Sequence, residues 1–308
     1  MNKVETVVVT GATSMIGVAL IDQCIRNEIK VYAVVKPEST KLERLKKFNQ
    51  IIIKECEIDS YNNLPEIISE KCDVFYHLAW LSTGRERNRD ISAQLMNVSF
   101  TIDAVRSAKR LGCHLFIGTG SQAEYGRNSP VVVSPDMPVN PDTPYGIAKY
   151  TASRCAFYES EQINLDCIWA RIFSVYGVYD KPTTMISSSL RKLLNHELTM
   201  FTTGEQYWDY LFSEDAGEAL FRIGQFGKGG SIYCVGSGEK NKIKDYIITM
   251  RDIIDPGLEI NFGGIPIPAK GPVSICANIT TLTTDTGFIP RFSFSQGIHE
   301  TIEWLKQG

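Results

Sequence analysis

The sequence lacks the marks of a membrane, secreted or nucleic-acid-binding protein. No apolar run approaches the ~18 residues that a membrane-spanning helix needs. Met1-Asn2-Lys3-Val4-Glu5 lacks the apolar core of a secretory signal and runs straight into a strand-like segment. There is no excess of positive charge: the net charge is -3, which gives no bulk attraction to nucleic acid or an anionic bilayer. None of the eight cysteines (Cys24, Cys56, Cys72, Cys113, Cys155, Cys167, Cys234, Cys276) falls in a CxxC pair. That argues against a zinc site or a disulfide framework and for reduced, mostly buried thiols. Internal repeats, low-complexity stretches and heptad runs are absent. The expectation is a cytoplasmic protein with no metal and with neither nucleic acid nor membrane as a partner.

What is present is an ordinary globular composition, 43% hydrophobic and 22% charged, in 308 residues. That length suits one large α/β unit or two closely joined lobes. Strand-like segments at Val4–Val9, Lys30–Val35, Ile51–Cys56, Val74–Leu78, His114–Gly118 and Cys167–Ala170 alternate with helical patterns. The helices are expected at Ile16–Asn27, Leu64–Ser69, Ala93–Leu111 and Tyr145–Glu161. Short, almost continuously apolar strands between helices predict a parallel sheet covered on both faces. After about Val175 the loops lengthen and carry Gly and Pro, as in "GVYDKPTT" and "FGGIPIPAKGP". Helices are expected there at Met185–Leu194, Asp215–Ile223, Ile243–Ile254 and Phe294–Trp304. This half reads as a smaller lobe roofing the crevice at the carboxyl ends of the strands.

The first strand leads into Thr10-Gly11-Ala12-Thr13-Ser14-Met15-Ile16-Gly17. Gly11 permits a tight turn, and Gly17 lets the next helix pack close to the sheet. The helix start then offers free N–H groups and a partial positive charge to a pyrophosphate. Ser14 stands where the middle glycine of the dinucleotide fingerprint is usual. It adds only a hydroxymethyl group, and serine suits a helix start. Alone, the motif fits a purely structural turn as well; its strand-turn-helix setting favours a dinucleotide. The expected fold is therefore α/β, a Rossmann-type doubly wound parallel sheet with a smaller C-terminal α/β substrate lobe. Residues 1–174 form the dinucleotide-binding domain, segments around 207–235 return to it, and 175–308 are mainly the substrate lobe.

The second strand ends in Lys36, where an NAD site would carry an acidic residue. Ser39, Lys41 and Arg44 follow. A 2′-phosphate pocket, hence NADP(H), is the favoured reading, beside a plain solvated loop. Glu38 keeps NAD open.

Two further segments carry chemistry. In "PYGIAK", Tyr145 and Lys149 are spaced i, i+4 and share one helix face. "GTGSQAEYG" places Ser121 after the fifth strand. A phenol ordinarily titrates near ~10, too high for a base at neutral pH. A neighbouring ammonium favours the phenolate, and a serine can hydrogen-bond a carbonyl or alkoxide oxygen.

These segments, with "FYHLAW", "RIFSVYG", "GEQYWDYLFSEDA" and "TTDTGFIPRFSFSQGIHETIEW", resemble the extended short-chain dehydrogenases/reductases. This is the group of NAD(P)-dependent nucleotide-sugar epimerases, dehydratases and reductases. The resemblance runs over nearly the whole chain, and serine at the middle-glycine position is a known variation within it. It implies catalytic Ser121, Tyr145 and Lys149. It implies cofactor contacts from Gly11, Thr13, Ser14, Met15, Ile16 and Gly17, then Lys36, Glu57, Ile58, Leu78 and Ala79, and from Tyr145 and Lys149. Asn97 matches a structural asparagine, and a homodimer through the third and fourth long helices is expected.

Departures from the family pattern narrow the chemistry. Gln122 and Ala123 replace the Asp-Glu pair of the 4,6-dehydratases, so dehydration is not expected. Ser174 replaces the asparagine of "FNVYG", and Trp208 replaces an arginine that often clamps the substrate pyrophosphate. Trp80 replaces a small residue. Substrate contacts are therefore expected from Trp80, Gln122, Ser174, Arg191 and Trp208, with Lys192 as a further candidate. Arg85, Arg87 and Arg89 read as a solvated charge run or as substrate contacts, while His77 and Arg171 read as structural. The leading expectation is NADPH-dependent reduction of a 4-keto-6-deoxy nucleotide-sugar. The alternatives are an NAD-dependent nucleotide-sugar 4-epimerase, a reductase of non-nucleotide carbonyls and a silent NADP-binding regulator.

Overall fold

Residues Thr6–Thr10 form the first strand, β1, in a computed structural model that describes residues 3–84, 88–267 and 271–307. Its three valines show how the sheet is built. Val7 and Val9 enter one buried cluster and Val8 another, on the opposite face. The side-chain period of a strand is two, so a strand apolar at every position must be covered on both sides.

The chain continues through α1 (Met15–Arg26), β2 (Lys30–Val35), β3 (Ile51–Glu55), α2 (Leu64–Ile67) and β4 (Val74–His77). Next come α3 (Ile91–Arg110), β5 (Leu115–Ser121), β6 (Val132–Val133), α4 (Pro144–Gln162), β7 (Asp166–Ile172) and β8 (Ser174–Tyr176). The second half holds α5 (Met185–Leu194), β9 (Thr199–Phe201), β10 (Tyr207–Trp208), β11 (Tyr210–Phe212), α6 (Ser213–Phe226) and β12 (Ile232–Val235). It ends with β13 (Asn241–Lys242), α7 (Ile243–Ile254), β14 (Ile260–Phe262), β15 (Cys276–Ala277), α8 (Thr280–Thr286) and α9 (Phe294–Lys306).

Seven parallel strands make the main sheet in the order β12-β7-β5-β4-β1-β2-β3. α1 packs beside α6, and α3 beside α4. The strand β12 returns from the second half of the chain to the sheet edge, beside β7. β1 has β2 on one side and β4 on the other, so the order reverses there. A crevice opens at such a switch point, outside the carboxyl ends of the strands. A separate core joins Leu190 and Leu193 of α5 to Ile247 and Met250 of α7 and Ile298 and Ile302 of α9.

The six expected strands are all present. β5 runs three residues beyond the expected Gly118, because Thr119, Gly120 and Ser121 pair with Ala170, Arg171 and Ile172 of β7. Ser121 is thus the last residue of a strand. The helix α8 has no counterpart in the sequence reading. Its threonine-rich stretch has weak helix propensity, and Gly287 in the left-handed region closes it. All eight cysteines are free thiols, and all but Cys155 are buried. Among the described residues no helix is long and apolar enough to cross a membrane, and no cluster of His, Cys, Asp and Glu could hold a metal ion.

Candidate active site

The turn after β1 is fixed by contact with the end of β4. Gly11 has φ +67°, and a Cβ there would lie 2.8 Å from the Ala79 nitrogen. Only glycine allows both that backbone and that approach. Ser14 caps α1: its Oγ accepts from the Gly17 N–H at 3.0 Å. A Cβ on Gly17 would lie 2.5 Å from the Gly11 carbonyl oxygen and 3.0 Å from Ser14 Oγ. The serine therefore tightens the turn. A helix start of this kind leaves N–H groups without partners inside the helix, which suits an anion. Thr13, Met15 and Ile16 are half-buried in this turn, as are Leu78 and Ala79 at the end of β4. A glycine floor that a side chain would fill, beside a helix N-terminus, fits a dinucleotide pyrophosphate.

At the end of β2, Lys36 is exposed and Ser39 is buried. Arg44 reaches back over the turn: its Nη1 donates to the Thr13 carbonyl at 3.1 Å, and its guanidinium lies 4.7 Å from the Tyr179 ring centre. Burial, then the charges of Arg44 and Lys36, lower the pKa of Lys41. Glu57 is exposed at the start of a short turn, and Ile58 is buried beneath it in the core with Tyr61.

Tyr145 and Lys149 sit on α4, which starts with Pro144 in its first turn and is capped by Thr143 Oγ1 on the Gly146 N–H at 3.1 Å. Gly146 packs directly on the carbonyl of Ala123, which brings the helix start against the turn that follows Ser121. Lys149 is buried, and its Nζ donates to the Thr119 carbonyl at 2.6 Å. Burial draws its pKa from 10.5 to about 7, with Glu124 opposing. Its Nζ lies 3.7 Å from the Trp80 ring centre and 5.9 Å from that of Tyr145.

Ser121 caps a short turn, its Oγ accepting from the Ala123 N–H at 3.2 Å. Glu124 completes a capping box by accepting from the Ser121 N–H at 2.8 Å. Glu124 is fully buried. It also accepts from Trp169 Nε1 at 3.0 Å and pairs with Arg171 Nε at 2.9 Å. The sequence reading passed over this carboxylate, although the S-x-x-E spacing of Ser121 and Glu124 is a capping-box signature. Arg171 is structural, as expected. So is His77, whose ring meets Thr10 Oγ1 at 3.0 Å and whose pKa falls to about 3 through burial and then Lys149. Asn97 accepts from the Leu81 N–H at 2.7 Å.

Three of the expected substrate residues meet. Trp208 Nε1 donates to Ser174 Oγ at 2.8 Å, and Gln122 Nε2 reaches the same oxygen at 3.4 Å. Gln122 Oε1 is buried with no hydrogen-bond partner among the described residues. Beside Trp208 lies a cavity of about 290 Å³, lined also by Arg127, Thr202, Gln206 and Ile243. Trp80 stands against Lys149 and Tyr145 instead. Arg191 and Lys192 are exposed in the last turn of α5, outside the Gln122–Ser174–Trp208 group. Arg89 is exposed, and Arg85 and Arg87 fall outside the described residues.

The dinucleotide turn at a sheet's switch point and the Ser-Tyr-Lys set define a class. The chain belongs to the NAD dependent epimerase/dehydratase family, whose model matches residues 7–236. Among curated proteins it is 25% identical to the UDP-glucose 4-epimerase of Mycolicibacterium smegmatis, over 97% of each chain. Among solved structures, the UDP-N-acetylglucosamine 4-epimerase of Methanobrevibacter ruminantium M1 superposes with a TM-score of 0.87 at 20% identity, covering 100% of this chain and 99% of that one. The UDP-glucuronic acid 4-epimerase of Bacillus cereus, solved with UDP-glucuronic acid and NAD, gives 0.84 at 22% identity, covering 98% and 99%. These two structures share the fold.

Proposed function

We propose that this protein is an NAD-dependent 4-epimerase of a UDP-sugar. The observation that carries this reading is the pairing of Tyr145 with a buried Lys149 on α4, beside a strand end that presents Ser121. The end-to-end likeness to a UDP-glucose 4-epimerase supports the isomerase over the keto-sugar reductase expected from the sequence. Bound NAD would supply a ring that takes a hydride from C4 and returns it. Gly11, Ser14 and Gly17 would hold its pyrophosphate.

Tyr145, as the phenolate, takes the proton of the 4-hydroxyl as the hydride leaves C4. Ser121 hydrogen-bonds the same oxygen and steadies the carbonyl that forms. Lys149 keeps positive charge near the phenolate, which lowers its basicity toward neutral pH. Once the 4-keto sugar has turned its other face toward the ring, Tyr145 would return the proton to the oxygen on C4. The cycle is redox-neutral, so no external reductant is consumed. Gln122, Ser174 and Trp208 form the sugar side of the pocket.

The test is to incubate the purified protein with UDP-glucose, UDP-N-acetylglucosamine and UDP-glucuronic acid without added cofactor, and to extract its bound nucleotide. Interconversion of 4-epimers with retained NAD is expected. Stoichiometric NADPH consumption on a 4-keto-6-deoxy nucleotide-sugar, without epimerisation, would overturn the proposal. That second reading rests on Lys36, Lys41 and Arg44, the charges of Arg44 and Lys36 both acting on Lys41. A homodimer through α3 and α4 is proposed as well, on the exposed Ile91, Leu95, Met96, Ile147 and Tyr158. Light scattering should give about twice the chain mass of 34.5 kDa.

A further inference from the structure

Trp80 makes three contacts that tie it to the catalytic helix. Its ring face carries the Lys149 ammonium, 3.7 Å from the ring centre. Its ring meets that of Tyr145 in a T-shaped contact, centres 6.2 Å apart and planes at 83°. Its Nε1 donates to Gln94 Oε1 at 2.9 Å, and Gln94 Nε2 donates to the Ser82 carbonyl at 2.9 Å. Gln94 is fully buried, so turning the indole away would strand a buried amide.

We propose that Trp80 is a positioning residue for the catalytic pair, holding the Lys149 ammonium on its face while its ring sets Tyr145. This rests on the Ser-Tyr-Lys reading above. An ammonium removed from water needs partners. Lys149 has the Thr119 carbonyl, and a carboxylate could supply the rest. A carboxylate in contact would also cancel the positive field that Tyr145 requires. An aromatic face stabilises the cation without bringing a counter-charge.

The groups around Lys149 fit this division. Glu124, from the turn after β5, favours the ammonium but spends its oxygens on Arg171, Trp169 and the Ser121 N–H. His77, on β4, is a neutral imidazole at working pH. Tyr145 lies on the same helix. Burial leaves Lys149 near pH 7, at the edge of ionisation, so the indole face helps decide its charge.

The experiment follows the Cε resonance of Lys149 in lysine-13C-labelled protein as purified, assigned by its loss in Lys149→Met. Trp80→Leu should move the Lys149 midpoint down by about one pH unit, and Trp80→Phe by less than half of that. In turnover, the rise of kcat/KM with pH, set by Tyr145 as base, should move to higher pH in Trp80→Leu. A graded series of fluorinated tryptophans weakens the ring face without changing its shape. It should step the Lys149 midpoint down in the parent protein but not in Trp80→Phe, and it serves if Trp80→Leu does not fold. A midpoint unmoved or raised in Trp80→Leu, equal shifts for Leu and Phe, or no response to fluorination would each overturn the proposal. The resonance titrates without substrate. Failure of the epimerase reading would therefore appear as absent UDP-sugar turnover with the Lys149 shifts intact.

Discussion

The two ends of the cleft are made of different material. At the proposed cofactor end the groups on offer are mainly backbone: a left-handed glycine against Ala79, a serine-capped helix start and a glycine packed on a carbonyl. At the proposed substrate end they are side chains drawn from three separate segments, Gln122, Ser174 and Trp208, tied through one hydroxyl. Backbone sites tolerate few residue types and therefore leave a local signature. Side-chain sites can exchange an arginine for a tryptophan and rebuild around it, and they leave almost none. The proposed catalytic set, Ser121, Tyr145 and Lys149, is intermediate in kind, with fixed residue types carried on a shared scaffold.

The largest expected effect tests that middle ground. Tyr145→Phe removes the only proposed proton carrier and should lower kcat by about a thousand-fold. NAD content should stay unchanged, because the substitution leaves the proposed cofactor turn after β1 untouched. Cofactor loss on this one-oxygen change would show that the two ends are not separable.

Next in size is the ion pair beneath Ser121. Glu124→Gln leaves Arg171 buried beside a neutral amide and should destabilise the fold by about 3 kcal/mol, read as a lowered urea midpoint. Glu205 is exposed between Lys242 and Lys244, and Glu205→Ala should change stability by less than about 1 kcal/mol. Equal effects would mean that Glu124 is no more than an ordinary charge.

Gly17→Ala probes the cofactor end directly. The added methyl would sit 2.5 Å from the Gly11 carbonyl and 2.9 Å from that of Ala12, so backbone must move. Overpacking of this kind costs about 1–3 kcal/mol; where that cost falls on the bound form of the turn, NAD affinity by calorimetry drops by about 5- to 150-fold. An unchanged affinity would argue that side chains such as Arg44 do the holding.

The same contrast explains what could be read from the sequence. Six of the seven strands of the sheet are visible because short apolar runs such as Val7-Val8-Val9 fit a sheet covered on both faces, while β12 is expected only as part of a returning segment. Ser121, Tyr145 and Lys149 were visible because phenol, ammonium and hydroxyl at those intervals serve one chemistry. Glu124 is not evident from its motif because its partners Trp169 and Arg171 lie 45 and 47 residues further along the chain. Lys36 points to NADPH by its place at the end of the second strand, with Lys41 and Arg44 after it; in the fold Lys36 is solvent-exposed, while Arg44 contacts the Thr13 carbonyl in the turn after β1. Arg191 was chosen for its charge on a helix whose last turn faces solvent. Long-range neighbours decided each of these cases.

The smallest effect is the sharpest probe of the substrate end. Ser174 Oγ is the shared acceptor for the Trp208 indole and the Gln122 amide. Ser174→Ala deletes that acceptor and nothing else of size, leaving two donors to find water or substrate. The loss of such a bond is worth about 1 kcal/mol, or about five-fold in binding. If the three residues hold the sugar equally in ground and transition states, KM rises by that factor while kcat and NAD content hold. A fall in kcat at constant KM would instead mean that Gln122 and Trp208 orient the reacting C4 face. The substrate end would then belong with Tyr145 as part of the catalytic scaffold, and the division between the two ends of the cleft would move outward to Trp208.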